Sequence, residues 1–438
     1  MGFLRLIGIG LVLPAVINAI DLDVSDPNSI RNAAGTIAHG AMSYYNGNVT
    51  DNKEMVGDLP DPYYWWQAGA LWGAMLDYYH YTGDPSYNKA IIEAVLAPVN
   101  MGPHHDYNPP EHFDELGNDD LGFWGFVVMS AAERNFPQPN PDLPAWLDLG
   151  KNIFRTLSSR WDNEKCGGGL FWQVFESNPN GVNYKNTVTN GGLFQLAARL
   201  ARATGEQVYS DWAKRVWDWS VARGLIGKKL VVYDGAHASE GCKRVNHVAF
   251  TYTAGIHLHG AAVMAEVTGD KAWEERAHGL LGAAAEHFFK DSILFEPACE
   301  PSDMCNHDMK SLKGYLARFM WQSTYHVPSL TPKVRELLEA SARAAAKSCS
   351  GGKDNKTCGQ RWYTGGFDGS VGLGQQMCAL ETIQGLLIDQ SQPPFRGGDI
   401  KVVRDLNWKR ACRRLMSVLK STPKSPAMPP SIDRGHVL

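Results

Sequence analysis

The sequence predicts an all-helical (α/α)6 toroid, with six inner helices ringed by six outer ones. Three observations lead there: a recurring turn phrase, a set of Gly- and Ala-rich apolar segments, and few β-rich stretches. The phrase is Thr-Gly-Asp/Glu-x-x-aromatic. It occurs at Thr82-Gly83-Asp84 with Tyr87, at Thr204-Gly205-Glu206 with Tyr209, and at Thr268-Gly269-Asp270 with Trp273. The spacings, 122 and 64 residues, amount to two units and one unit of about 60 residues. Gly after a helix supplies a left-handed cap, the acid starts the next helix, and the aromatic returns to the core. Each phrase therefore reads as the short turn of an antiparallel helix pair.

The segment before each turn is rich in Gly and Ala and apolar on most faces, which marks a buried helix in close contact with its neighbours. In chain order the inner helices are predicted at residues 63–81, 121–134, 190–204, 251–268, 312–325 and 371–388. Segments after the turns, such as 208–223 (VYSDWAKRVWDWSVAR), carry a polar face and belong outside. Residues 169–175 and 229–233 read as small hairpins at a rim. In a toroid all inner helices run the same way, so the loops before them gather at one mouth. Loops 102–120, 178–190, 234–250 and 360–370 hold His, Asn, Asp, Trp and Tyr where ordinary loops hold Ser, Lys and Glu, which predicts a cleft there.

Around this core, residues 1–19 (MGFLRLIGIGLVLPAVINA) read as a secretory signal peptide: one Arg, an apolar run, then small residues. Residues 20–390 form the toroid, and residues 391–438 read as a basic, Pro-containing, irregular tail. Eight cysteines, with no Cys-x-x-Cys pair, fit an oxidised secreted protein. Cys299/Cys305 and Cys349/Cys358 are close enough to close small loops. Asn48 and Asn355 open glycosylation sequons.

The chain of 438 residues is 44% hydrophobic and carries a net charge of −4, so no basic excess exists to bind nucleic acid. Its 14 Trp, 16 Tyr and 16 Phe suit a protein that stacks flat rings on sugars, although most must be core. No Gly-x-Ser-x-Gly elbow or phosphate-binding glycine loop occurs. His104, His105 and His112 match no metal-binding spacing, and His257 and His259 point to different faces of one helix. The reading invokes neither metal nor cofactor.

Asn118-Asp119-Asp120-Leu-Gly-Phe-Trp124 stands out. One Asp at a helix start is explained by capping. Two adjacent carboxylates repel each other unless one is protonated or paired, and a glycosidase needs that inequality. The helix N-terminus predicts an ionised Asp119; repulsion and the apolar wall of Leu121 and Trp124 predict a raised pKa at Asp120. Residues at or just before inner-helix starts are the sugar-binding candidates: Trp65, Trp66, Trp124, Asn190, His247, Tyr252 and Asp368. Of Trp65 and Trp66, at most one stacks while the other packs. Asp58 and Asp61 rank below these because a Pro-rich turn gives them capping work.

The Asp-Asp element NDDLGFW, the segment WWQAGALWGAM and the start IDLDVSDPNSIRNAAGTIAHGAMSYY together resemble glycoside hydrolase family 76 over residues 20–389. The nearest likeness is to the fungal cell-wall mannan endo-1,6-α-mannosidases of the "defective in filamentous growth" type. The resemblance implies a retaining, endo-acting enzyme on α-1,6-linked mannose, with Asp119 as nucleophile and Asp120 as acid/base. It also implies transglycosylation of lipid-anchored glycoproteins onto wall glucan, at the cell surface or in the wall. The partners are then α-1,6-mannose glycans, the glycan of GPI-anchored glycoproteins and a glucan acceptor, and a monomer is expected. Fungal members of this type end in an apolar tail that directs lipid anchoring, whereas this sequence ends IDRGHVL, which leaves anchoring unsupported. Two other readings stand beside this one: a wall lectin using the same cleft without turnover, and an inverting toroid glycosidase with more widely separated carboxyls.

Overall fold

A computed structural model describes residues 19–47, 55–114, 116–175, 178 and 181–404. The α-helices are α1 (Pro27–Met42), α2 (Trp65–Thr82), α3 (Asn88–Val95), α4 (Pro98–Met101), α5 (Asn118–Glu133), α6 (Trp146–Ser159), α7 (Thr187–Thr204), α8 (Gln207–Ala222), α9 (Thr251–Thr268), α10 (Lys271–His287), α11 (Leu312–His326), α12 (Thr331–Ser348) and α13 (Leu373–Gln384). Leaving aside the single turn of α4, inner and outer helices alternate. The inner ring runs α2, α5, α7, α9, α11, α13, and α13 packs back on α2 to close it. The outer helices α1, α3, α6, α8, α10 and α12 lie against it. This is the expected (α/α)6 toroid, and all six inner segments fall where the sequence places them.

The turn phrase works as a unit. Gly83, Gly205 and Gly269 all take the left-handed conformation, with φ of 77°, 75° and 64°. The Thr before each Gly adds a staple. Its hydroxyl donates to the carbonyl four residues back (Tyr78, Leu200, Met264) and accepts the N–H two residues on (Asp84, Glu206, Asp270). Tyr209 and Trp273 then bury themselves in the core. Small residues let the inner helices touch. A Cβ on Gly255 of α9 would stand 2.8 Å from the Cα of Leu316 on α11, and Gly122 of α5 faces Gly192 of α7.

Deeper in the ring, buried ion pairs cross between inner helices. Arg318 of α11 meets Asp77 of α2 at 2.8 Å, and Arg199 of α7 meets Glu133 of α5 at 2.7 Å. Removing one member of such a pair strands a buried charge, at a cost of about 3–5 kcal/mol. Residues 391–404 run irregularly over the C-terminal ends of the inner helices. Phe395 N–H donates to Glu133 O, Arg202 donates to the carbonyls of Pro394 and Phe395, and Gln138 N–H donates to Val403 O. The predicted signal peptide, the sequon at Asn48 and residues 405–438 lie outside the described residues.

Residues 229–233 form the return arm of a short hairpin, with Gly227 N–H donating to Val231 O and Tyr233 N–H to Leu225 O at 2.9 Å around the Ile226–Val232 bridge. The expectation for 169–175 needs correction, since that stretch contributes only an isolated bridge between Gly117 and Gln173. The strands among the described residues lie elsewhere. β1 (Tyr184–Asn186), β2 (Gly235–His237) and β3 (Val245–Asn246) form an antiparallel sheet at the mouth, and β4 (Phe289–Lys290) pairs with β5 (Ile293–Leu294). Loop backbone needs partners, and here the loops entering α7 and α9 supply them to each other. The disulfide Cys166–Cys242 ties these two regions further; Cys299–Cys305 and Cys349–Cys358 close the two small loops expected. Cys378 is a buried free thiol, and burial pushes it up to about 12.

Candidate active site

The N-terminal ends of the inner helices surround a cavity of about 560 Å³. Its wall carries the carboxyls of Asp114, Asp119, Asp120, Asp234 and Asp308, and the rings of Trp66, Trp172 and Tyr252, among others. No Lys, Arg or His is among the described residues of its lining.

Asp119 and Asp120 occupy the first turn of α5, where backbone N–H groups have no helical partner. Asp120 takes the N3 position, and its Oδ2 reaches back to accept the N–H of the N-cap residue Gly117 at 2.5 Å. Gly117 must be small. A Cβ there would stand 2.3 Å from Asp119 Oδ1. Beside them, Asn118 anchors the loop that carries Trp172. Its N–H donates to Trp172 O at 2.8 Å and its side chain to Phe171 O, while Arg160 donates to its Oδ1 at 2.7 Å.

The electrostatics reverse the sequence expectation for Asp119. Burial pushes its carboxyl up to about 7. The N–H groups of the helix start and the indole of Trp172 act the other way, as expected of a helix N-terminus, but burial outweighs them and the charge of Asp308 adds to it. The free cleft thus keeps a proton on Asp119 far above the ordinary carboxyl range. Asp308 sits just before α11. Its Oδ1 accepts the indole N–H of Trp66 at 2.9 Å, and burial raises its own pKa. Asp234 accepts from Tyr184 and Asn246 at 2.7 and 2.9 Å and is likewise raised by burial.

Of the expected sugar-binding residues, the cleft brings together Trp65, Trp66 and Tyr252. Trp65 is nearly buried, stacked on His112 and tied to Asn100 Oδ1 at 2.8 Å, so it packs. Four residues lie off the cavity wall and correct the expectation. Trp124 is wholly buried between Trp65 and Tyr107, because its position on α5 faces α2. Asn190 is buried and holds the backbone of Leu170 and Asn186. His247 is exposed and edge-on to Tyr233. Asp368 is spent on the N–H groups of Gln360, Arg361 and Ser370 and on the Arg361 side chain. Asp58 caps the N–H of Leu59, and His257 bonds Thr253 O within the core. Asn355 is an exposed turn residue.

A family model for glycosyl hydrolase family 76 matches residues 29–397. The chain belongs to glycoside hydrolase family 76. Among curated proteins it is 45% identical over 388 residues to mannan endo-1,6-alpha-mannosidase DCW1 of Candida glabrata, covering 88% of this chain and 86% of the relative. It is 41% identical over 382 residues to mannan endo-1,6-alpha-mannosidase DFG5 of Saccharomyces cerevisiae, covering 86% and 82%. Among solved structures, Dfg5 from Chaetomium thermophilum in complex with glucosamine aligns with a TM-score of 0.83 at 38% identity, over 90% of this chain and 99% of that one. An inactive variant of a Salegentibacter alpha-1,6-mannanase, with two consecutive aspartates changed to asparagine and alpha-1,6-mannotriose bound, shares the fold. Its TM-score is 0.66 at 17% identity, covering 82% and 99%.

Within this family 76 cleft, sequence reasoning passed over Asp114, Trp172, Tyr184, Asn186, Asp234, Asn306 and Asp308 as individual residues. Asp114, Tyr184, Asn186 and Asp234 lie in loops marked out by composition, and Trp172 lies in the stretch 169–175 expected as a hairpin. Asn306 and Asp308 lie in a loop it did not select, although Asn306-His307-Asp308 carries the same polar signature as the others.

Proposed function

We propose that this family 76 chain is a retaining mannan endo-1,6-α-mannosidase in which Asp119 attacks the anomeric carbon and Asp120 serves as acid and then base. The observation that carries this reading is the pair of adjacent carboxyls at the first turn of α5, in a cleft walled by aromatic rings and held open to them by Gly117. Retaining chemistry needs one proton on the pair, and the site keeps one: Asp119 holds it in the free cleft to about pH 7. On substrate binding that proton must rest on Asp120, so that Asp119 meets the sugar as a carboxylate while Asp120 protonates the leaving oxygen.

A specific observation favours a second reading, with the roles exchanged. Asp119 is the group with the raised pKa, while Asp120 accepts a backbone N–H, which suits a carboxylate.

The acidic lining supports a substrate that carries a positive charge, such as the glucosamine of a GPI-type glycan next to its mannose. The Chaetomium relative's complex with glucosamine fits this choice. Transfer to a glucan acceptor at the cell surface follows from the same reading, and the three disulfides fit an oxidising compartment. Product analysis on α-1,6-mannooligosaccharides, with and without a β-glucan oligosaccharide, tests it. Internal cleavage with the α-anomer released first is expected, with transfer products when glucan is present. Release of the β-anomer first would refute retention, and binding without cleavage would leave a lectin.

A further inference from the structure

Asp308 shares the cavity wall with Asp119 and Asp120, and it has no place in a two-carboxyl mechanism. It reaches the site from the loop before α11, across the cavity from α5, and Trp66 Nε1 fixes its Oδ1 at 2.9 Å. Trp66 is itself held against Phe123, with ring centroids 4.5 Å apart, so the carboxyl is clamped by a buried wall. No Lys, Arg or His is among the described residues that line the cavity.

We propose that Asp308 is a positioning residue that acts through its charge, holding one proton on the Asp119/Asp120 pair until substrate enters. The inference rests on the pair being catalytic, as proposed above. The physical reason is repulsion between carboxylates in a low-dielectric cavity: with Asp308 ionised, adding a second negative charge at Asp119 costs more than in water. The rise in the Asp119 pKa, in which Asp308 takes part, agrees with this. Among the described residues, the other ionisable groups on the cavity wall are Asp120 on α5, Asp114 in the loop before it, Tyr184 on β1, Asp234 before β2, Tyr252 on α9 and Tyr64 before α2. His307 stands next to Asp308 and, when protonated, offsets its charge. A sugar that hydrogen-bonds or ion-pairs with Asp308 would relieve the repulsion, so substrate entry itself would release Asp119 to ionise.

The test is the pH profile of kcat/KM on an α-1,6-mannooligosaccharide for the parent chain, Asp308→Asn and Asp308→Glu. If Asp119 is the nucleophile, Asp308→Asn moves the acidic limb down by about 0.5–1 pH unit, which raises relative activity on that limb about three- to tenfold. Asp308→Glu keeps the charge and leaves the limb in place. If the alkaline limb moves down instead, Asp308 still acts on Asp119, and it is the role of Asp119 that must be exchanged. A loss of activity that is uniform across pH, with both limbs unmoved, overturns the proposal and leaves Asp308 a substrate-binding group. Infrared difference spectra of the protonated carboxyl, with Asp119→Asn as the reference, read the same titration without turnover. There, an Asp119 midpoint that is the same in the parent and in Asp308→Asn overturns the proposal even if the chain cleaves no mannan.

Discussion

Gly117→Ala separates the geometry of the Asp pair from the stability of the fold. Gly117 has φ −100° and ψ 161°, a conformation that any residue adopts, so alanine introduces no backbone strain. What it introduces is a methyl group 2.3 Å from Asp119 Oδ1 and 3.3 Å from both Asp120 Oδ2 and Trp172 Nε1. Ordinary contact begins near 3.4 Å, so the Asp119 carboxyl must move by about 1 Å. The atom in the way is the far end of a rotatable side chain, so the fold yields cheaply. Exchanging Gly for Ala at this cap position costs about 1 kcal/mol or less. Catalysis does not yield in that way, because a misplacement of about 1 Å lowers rate by about 10²-fold. The assay pairs kcat on an α-1,6-mannooligosaccharide with thermal melting. A fall in kcat of about 100-fold with Tm lowered by only a few degrees is expected. Activity within twofold of the parent would show that Asp119 need not sit where it does, and the catalytic argument would fail.

Other outcomes follow from the same geometry. Asp119 titrates near 7 in the folded chain against an ordinary 3.8, so the folded state keeps a proton that the unfolded chain loses first. Its contribution to stability is therefore full below about pH 4 and is lost as pH rises to about 7. Asp119→Asn removes that loss, so its Tm advantage over the parent should grow from pH 4 to 7 and then level off; a constant difference would contradict the assigned burial. Mannobiose should change the Trp emission of the parent and of Trp124→Phe alike, because Trp124 is sealed in the core, whereas Trp66→Phe should diminish the response. A response lost in Trp124→Phe but kept in Trp66→Phe would reverse the placement. Thiol titration of the denatured, unreduced chain should find two free thiols at most, Cys378 among them; any count above two would contradict the three disulfides.

The ring was legible in the sequence because its signals are local. Gly83, Gly205 and Gly269 mark helix ends that only a left-handed cap explains, and the Ala/Gly-rich faces mark the inner ring. The mouth was legible too, because the loops before the inner helices carry His, Asn, Asp, Trp and Tyr, and two adjacent carboxyls stand at the start of α5. The azimuth of each helix start was not. Trp124 and Asn190 sit near the mouth in sequence, yet Trp124 faces α2 and Asn190 turns to the backbone of Leu170 and Asn186. Asp308 was hidden for a related reason. Its place opposite α5 depends on how far α11 lies around the ring from α5, a distance set by closure of the whole toroid. The raised Asp119 escaped as well, because a helix N-terminus advertises stabilisation of charge while desolvation depends on how deep the finished cleft is.

Turnover of α-mannosyl fluoride by Asp119→Asn and Asp120→Asn decides whether the pair works as assigned. Fluoride needs no acid to leave, so a variant lacking only the acid can still form a glycosyl-enzyme. Asp120→Asn should release fluoride in a burst and accumulate the mannosylated protein, visible by mass spectrometry, while Asp119→Asn should give neither. A burst from Asp119→Asn alone would exchange the two roles. Near-parent cleavage of α-1,6-mannooligosaccharide by both variants would reduce the pair to a helix cap and contradict the mechanism.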